Sequence, residues 1–360
     1  MIPGGHTYIV FLGLLLCVGL YVGYKLRFDY YVKKTKTERV WRSVASLVQQ
    51  LHAGYSPPAK KTPAEAKKKS ILVLFSTWID LPDKRRIYDN SFRMWRVWKP
   101  DILPLLYSEQ ESERKRAQTF GWETLTPPTT ACGGVPILRD MFQVAMAKYP
   151  DSLFYGFSNG DLLFGAGLHE TMKVLSRDPM VHDKPMLVIL RRFNVDFVNR
   201  SDVHSLQEIV ETRKDAKGVT DGSSDAFFTN RLFPWNRIPD IVPGRLGVAM
   251  ILVSAARTLN VTVIDISPTV IALHMTTKKG NLESWGHSHS FCNRQLVQDI
   301  GMKPSGWGCG SVFCASLTSE RTEGENAVTR IVKKSKPLPG QCLNCKQNMT
   351  YFQTGKPPGA

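Results

Sequence analysis

Several familiar catalytic signatures are missing from this chain. It contains no Gly-x-Gly-x-x-Gly turn, no Walker-type phosphate loop, no Gly-x-Ser-x-Gly elbow and no internal repeat. Rossmann dehydrogenases, P-loop kinases and α/β-hydrolases are therefore poor readings. Cys342-Leu343-Asn344-Cys345 has no second Cys-x-x-Cys to complete it, and the other cysteine and histidine spacings finish no zinc pattern. A disulfide pair or a bridge in the tail is the blander alternative to half a zinc site. Acidic charge is scarce: 31 Asp and Glu stand against 47 Lys and Arg, for a net charge of +16. Such a surface attracts polyanions. Without a nucleic-acid recognition motif, the expected partners are acidic glycan, nucleotide phosphate or anionic lipid, and no nucleic acid is expected.

What is present begins with an uncharged run, Tyr8 to Tyr24, rich in Leu, Val and Gly. At about 1.5 Å per residue it only just crosses a hydrocarbon layer of about 30 Å, with Tyr8, Tyr21 and Tyr24 suited to the interface. No Lys or Arg precedes the run and no small-x-small cleavage site follows it, so an uncleaved anchor is preferred to a signal peptide. Orientation signals conflict. Lys25, Arg27, Lys33, Lys34, Lys36 and Arg39 follow the anchor, and the positive-inside rule keeps such a flank cytoplasmic. Glycosylation sequons at Asn199, Asn260 and Asn348, one of them open to burial in a strand, point the other way. So does an even set of cysteines beyond the anchor, Cys132, Cys292, Cys309, Cys314, Cys342 and Cys345, which suits an oxidising lumen. The expectation is a single-pass type II protein of the Golgi or ER membrane with its main domain lumenal.

On this reading residues 1–7 are a short tail, 8–24 the anchor, 25–69 a stem, 70–300 the main domain and 301–360 an extension containing Gly, Pro, Cys and Lys that looks like a tail. The second half of the stem, 53–69, is rich in Pro, Ala and Lys and has almost nothing to bury. Strand and helix patterns alternate from Ser70. Strands are predicted at 71–75, 102–107, 153–157, 186–190, 261–266 and 270–274. A helix is predicted over 84–97 with Ile87, Met94 and Val97 inward, and another from Pro136, stopped by Pro150, with Val135, Leu138, Phe142, Ala145, Met146 and Tyr149 at helical spacing. A third, strongly apolar one covers 246–256. Such alternation predicts an α/β fold with a mostly parallel sheet flanked by helices.

The segment with the clearest chemistry is Phe154 to Phe164, an apolar strand that ends in Asn159-Gly160-Asp161 and then turns apolar again. A carboxylate just past a buried strand is where α/β proteins hold a metal and its phosphate ligand. Asn-Gly-Asp is equally an ordinary turn. Four segments, taken in order over residues 70 to 300, resemble the nucleotide-sugar-dependent glycosyltransferases of the GT-A fold. They are Phe75-Ser76-Thr77-Trp78 with a helix bearing Asn90, Arg93 and Trp95; Asn159-Gly160-Asp161; Gly222-Ser223-Ser224-Asp225; and the series from Trp235 through Pro243-Gly244-Arg245-Leu246-Gly247 and Val263-Ile264-Asp265 to His274 and Gly280-Asn281-Leu282.

The resemblance implies a membrane-anchored, metal-assisted glycosyltransferase moving a sugar from a nucleotide-sugar donor to a glycan, protein or lipid acceptor. Asn159-Gly160-Asp161 is similar to that family's Asp-x-Asp motif in an Asn-x-Asp form. It places Asp161 and His274 on a divalent ion, Thr77, Asn159 and Arg245 on the nucleotide-sugar, and Asp225 as the base that accepts the acceptor's proton. A nitrogen ligand favours Mn²⁺ over Mg²⁺. Each residue also has a plainer reading: Asp225 in a polar loop entering a strand, His274 as a satisfied histidine at a strand end. His287 and His289 share one face if extended, and a surface loop is the preferred reading for them. The chain departs from the family pattern at Ala249, where an acidic residue is usual, and at Met275, where Gln usually follows the histidine. A scaffold kept for binding acidic glycan or a protein partner is the alternative.

Overall fold

The computed structural model describes residues 69–343, apart from 79, 198–199, 201, 219–223, 277–287, 301–306, 323 and 325–326. The chain divides into two compact units, Met1–Ala66 and Lys67–Ala360, and the described residues belong to the second. No helix among them is long and apolar enough to cross a membrane; the run from Tyr8 to Tyr24 lies outside the described residues.

Strand and helix alternate as the hydrophobic pattern predicts. The first half runs β1 (Leu72–Thr77), α1 (Arg85–Trp95), β2 (Ile102–Tyr107), α2 (Glu111–Thr119), β3 (Glu123–Leu125), β4 (Thr130–Ala131), β5 (Val135–Pro136), α3 (Leu138–Lys148), β6 (Phe154–Ser158), β7 (Leu162–Phe164) and α4 (Gly167–Ser176). There follow α5 (Met180–Asp183), β8 (Met186–Ile189), β9 (Phe193–Asp196), α6 (Leu206–Lys214), β10 (Lys217–Gly218), β11 (Ala226–Asn230) and α7 (Val248–Thr258). The chain ends with β12 (Thr262–Asp265), β13 (Ala272–Thr276), α8 (Cys292–Asp299), β14 (Leu317–Arg321), β15 (Thr329–Lys333) and α9 (Gly340–Leu343).

A nine-stranded sheet has the order β15-β14-β12-β8-β11-β6-β1-β2-β3. Only β11, against both neighbours, and β15, against β14, are antiparallel in it. A second, four-stranded sheet has the order β10-β9-β13-β7, and β4 pairs with β5. The central strands are buried on both faces, so they read as apolar runs and not as alternating ones. Alternate side chains enter two separate cores. Leu72, Leu74, Phe154, Val188 and Phe228 pack with α1, α4 and the small sheet, whereas Val73, Phe75, Phe157, Ile189 and Phe227 pack with α3 and α7. Each large side chain so buried contributes about 1.5–3 kcal/mol.

Four sequence expectations are corrected here. Val97 is 49% exposed, because the helix tightens into a 3-10 turn over Arg96–Trp98 and rotates it outward. Pro136 lies in β5 and the helix starts at Leu138, since Val135 and Pro136 extend to pair with Thr130 and Ala131. Asn90 and Arg93 do not line a nucleotide cleft: Asn90 is buried, bonds the Val203 amide and Asp202, and Arg93 pairs with the same Asp202. Trp95 is core, in line with the plainer reading of a tryptophan at that position, its indole N–H donating to the Leu162 carbonyl at 2.9 Å. Finally, the stretch from 301 on, read above as a tail, supplies the β14–β15 hairpin at one edge of the main sheet.

Cystine bridges hold the later segments. Cys132 bonds Cys292 and Cys314 bonds Cys342, the second pair closing a loop of 28 residues around the hairpin. Cys309 is also disulfide-bonded. Cys342 therefore bridges away from its own Cys-x-x-Cys motif, which removes the reading of that motif as an internal disulfide.

The two sheets are joined through Asn159, Gly160 and Asp161: β6 ends at Ser158 in the large sheet and β7 starts at Leu162 in the small one. Every peptide in this crossing is tied. Asn159 N donates to Asp225 O at 3.0 Å, Leu162 N to Asn159 O at 3.2 Å, Ser91 Oγ to Gly160 O at 2.6 Å and Met275 N to Asp161 O at 2.9 Å. Trp78 lies directly over Gly160, so that a Cβ there would overlap its ring. The ring is held in turn by a 3.0 Å bond to buried Glu113 and by stacking on Tyr88. Gly160→Ala is expected to cost about 1–3 kcal/mol through this overpacking. Urea unfolding measures it, and wild-type stability in the variant would mean that the indole is free to move aside.

Candidate active site

Strand register gathers the polar residues at one end of the large sheet. Phe75 pairs with Phe157, so two places further on Thr77, the last residue of β1, comes level with Asn159. Ala226 pairs with Ser158 across the antiparallel contact, which brings Asp225 opposite Asn159. Thr77, Asn159 and Asp225 thus form one row at the carboxyl ends of β1 and β6, the end at which open α/β sheets bind ligands.

Asp161 and His274 meet through the small sheet. Leu162 on β7 pairs with His274 on β13, and His274 pairs on its other side with Asn194 on β9. His274 Nε2 lies 3.0 Å from Asp161 Oδ2 and Nδ1 lies 3.0 Å from Asn194 Oδ1. The Asn194 amide serves either tautomer: in one sense its oxygen accepts from Nδ1–H, in the other its nitrogen donates to Nδ1. Lys84 Nζ stands 4.0 Å from Asp161 Oδ2, and Arg192, from the turn after β8, pairs through Nη1 with Asp225 Oδ2. Sequence reasoning missed Lys84, Arg192 and Asn194. The signal for Arg192 was there, as Arg191-Arg192 directly follows an apolar strand.

The charges around this cluster act on both titrating groups. Burial pushes the Asp161 carboxyl up, but His274, Lys84 and Arg192 outweigh it and hold the group well below the usual carboxylate range. Burial lowers His274, and Arg192 and Lys84 add to that, against the opposing pull of Asp161. At neutral pH Asp161 is the anion and His274 the neutral imidazole, the protonation states that a metal requires of its ligands.

The donor set passes a fit test for a divalent ion. Asp161 Oδ1 is buried with no hydrogen-bond partner, a lone pair that a cation would satisfy. Asp161 Oδ2 and His274 Nε2, 3.0 Å apart and hydrogen-bonded to each other here, are the oxygen and nitrogen donors that would hold such an ion. No group of three or more His, Cys, Asp or Glu able to hold a metal occurs among the described residues. Two protein ligands leave the remaining positions to water and substrate oxygens, the usual arrangement at phosphate-binding Mg²⁺ sites.

Arg245 belongs to a different turn from Asp161. It lies between Gly244 and Gly247, which take φ of +67° and +98° and so favour glycine, in the turn that opens α7. Its Nη1 donates to Gly244 O at 3.1 Å and its carbonyl accepts from Asn293 at 3.3 Å. Ala249 is 8% exposed and faces Gly310, whose Cβ, if present, would lie 3.1 Å from that of Ala249. A longer acidic side chain has no room there, so the departure at Ala249 is a packing adaptation. His289 lies in a turn at the surface, and His287 and Gly280-Asn281-Leu282 fall outside the described residues.

No protein-family model matches the chain, and no curated protein matches it. Among solved structures, the chain is similar to glucosyl-3-phosphoglycerate synthase from Mycobacterium tuberculosis in complex with Mg²⁺ and uridine diphosphate, at 12% identity and a TM-score of 0.39 over 76% of this chain and 89% of that one. The same enzyme with Mn²⁺, uridine diphosphate and glucosyl-3-phosphoglycerate matches at 12% identity and a TM-score of 0.39, over 81% and 98%. A CMP-2-keto-3-deoxy-manno-octonic acid synthetase complexed with CTP matches at 11% identity and a TM-score of 0.28, over 56% and 91%. Likeness at this level shows neither a shared family nor a shared activity.

The lowered value of His274 fixes a pH response. A base whose folded value is depressed contributes stability above its unfolded value, about 6.5, and loses it as pH falls through the folded one. Thermal stability should therefore decline as the pH falls below about 6.5, and His274→Gln, which cannot take up the proton, should flatten that decline. An undiminished slope in the variant would place its origin elsewhere.

Proposed function

We propose that this protein is a GT-A-like glycosyltransferase that moves a sugar from a nucleotide-sugar donor to a glycan, protein or lipid acceptor with the help of a divalent ion, Mn²⁺ by preference. The observation that carries this reading is the Asp161–His274 pair at the crossing between the sheets, with Asp161 Oδ1 left open, in line with Thr77, Asn159 and Asp225. The resemblance in the order of motifs agrees with it.

The departing nucleoside diphosphate gains negative charge, and a hard ion on Asp161 and His274 would supply the neutralisation. The protein's own residues do the remainder. Thr77 and Asn159, at the ends of β1 and β6, are placed to bind the nucleotide and its ribose. Asp225, half-buried beside them, is the carboxylate that accepts the proton of the acceptor hydroxyl as that oxygen attacks the anomeric carbon. Arg245, on its glycine-flanked turn, is assigned to phosphate or acceptor by the resemblance alone.

Full-length protein in detergent should be stabilised by one of a panel of nucleotide sugars in a Mn²⁺-dependent way. At a hundredfold excess over Kd the gain is about 2.7 kcal/mol, a shift of several degrees. Asp161→Asn should weaken that donor at least tenfold, a loss of about 1.4 kcal/mol. Polyanion binding with no affinity for any donor would indicate the glycan-binding alternative.

We assign the main domain to the lumen of the Golgi or ER, behind the segment from Tyr8 to Tyr24 as anchor. Asn260, the sequon residue within the described part, supports this: it is exposed in the turn between α7 and β12 and is not buried in a strand. Endoglycosidase treatment should reduce the mass of protein expressed in eukaryotic cells, and part of that shift should disappear in Asn260→Gln. No shift in the wild type would return the cytoplasmic orientation.

A further inference from the structure

Arg192 is the one side chain that ties together the two carboxylates of the candidate site. Its guanidinium pairs with Asp225 through Nη1 and is close enough to Asp161 for the two charges to act on each other. The pairing with Asp225 is incomplete. Arg192 Nε is buried with no hydrogen-bond partner, so beside the ion pair that Nη1 makes with Asp225 the guanidinium keeps an unused donor. A guanidinium makes its strong bonds in a side-on, two-pronged way to a planar or tetrahedral oxyanion. Here the second prong has nothing to bond.

Charge balance says what would complete it. Lys84 and Arg192 offset Asp161 and Asp225 in an interior where all four side chains are at most 19% exposed. An ion bound alone would leave the site with uncompensated positive charge, which is costly in a partly dry interior. An ion bound with a diphosphate, each of whose phosphates is ionised, restores the balance.

We infer that Arg192 is a ligand of the donor diphosphate, held by Asp225 in the empty site and transferred to the phosphate oxygens when the donor binds. The inference rests on the donor-site reading above. It makes donor binding a precondition for catalysis, because Asp225 is released to act as a base only when the diphosphate draws Arg192 away. Arg192 is then a binding and positioning residue, and the order of substrates is donor before acceptor.

Inorganic pyrophosphate with Mn²⁺, titrated calorimetrically into the full-length protein, tests this without turnover. Arg192→Gln should weaken pyrophosphate at least tenfold. Asp225→Asn should strengthen it several-fold, since the competing carboxylate is gone, and the gain should vanish in the double variant Arg192→Gln/Asp225→Asn. The double variant carries no stranded charge, so it also serves if Arg192→Gln alone folds poorly. Wild-type affinity in the double variant, or weaker binding in Asp225→Asn, would overturn the role of Arg192 while leaving the donor site in place. Failure of the wild type to bind pyrophosphate would remove the donor site itself.

Discussion

Asp161 owes its position to a shortage of chain. The backbone leaves the large sheet at Ser158 and must be in register with β13 in the small sheet at Leu162. Asn159, Gly160 and Asp161 make a tight turn closed by Leu162 N on Asn159 O, and its remaining bonds go to Asp225 before β11, Ser91 of α1 and Met275 of β13. Glycine in the middle lets the Trp78 indole close over the link, and the indole is locked by Glu113 below α1. The carboxylate is therefore delivered by rigid elements on both sides, which is the condition for a site that must hold atoms to within about half an ångström.

The same crossing explains the electrostatics. Because β7 and β13 belong to a second sheet, their polar side chains face the end of the first one, and groups from five separate parts of the chain meet there: Lys84, Asp161, Arg192, Asp225 and His274. The two opposed pairs are nearly dry, and an uncompensated charge at such a place costs several kcal/mol. This is why cations and carboxylates occur in equal number, and why the unbonded atoms, Asp161 Oδ1 and Arg192 Nε, carry opposite demands. One calls for a cation and the other for an anion. A ligand that brings both answers the two together.

Much of the fold was legible because the central strands are apolar along their whole length and the helices between them are periodic. The strands at 102–107 and 186–190 and the carboxylate after β6 could be read from these patterns alone. What could not be read came from long-range geometry. The exposure of Val97 depends on a helix tightening by one turn, and the β14–β15 hairpin pairs through Thr318 and Ser319, polar residues whose hydroxyls bond Asp265 and Thr269. Lys84 and Arg192 were illegible for a related reason: a lysine at a helix start and an arginine after a strand look the same in sequence whether they face solvent or a buried carboxylate.

The edge of the large sheet carries the argument a step further. The hairpin there is fastened by Cys314–Cys342, and half-buried Lys334 bridges Asp265 and the Val312 carbonyl, so the segment from 307 onward is packed against α7 and β12. Gly310 packs so closely on α7 that a Cβ there would lie 2.8 Å from the Met250 nitrogen and 3.1 Å from the Ala249 Cβ. Ala249 thus lies at an interface between two parts of one chain. Asp225 stands apart from that interface, in the row that strand register forms with Asn159, where it pairs with Arg192.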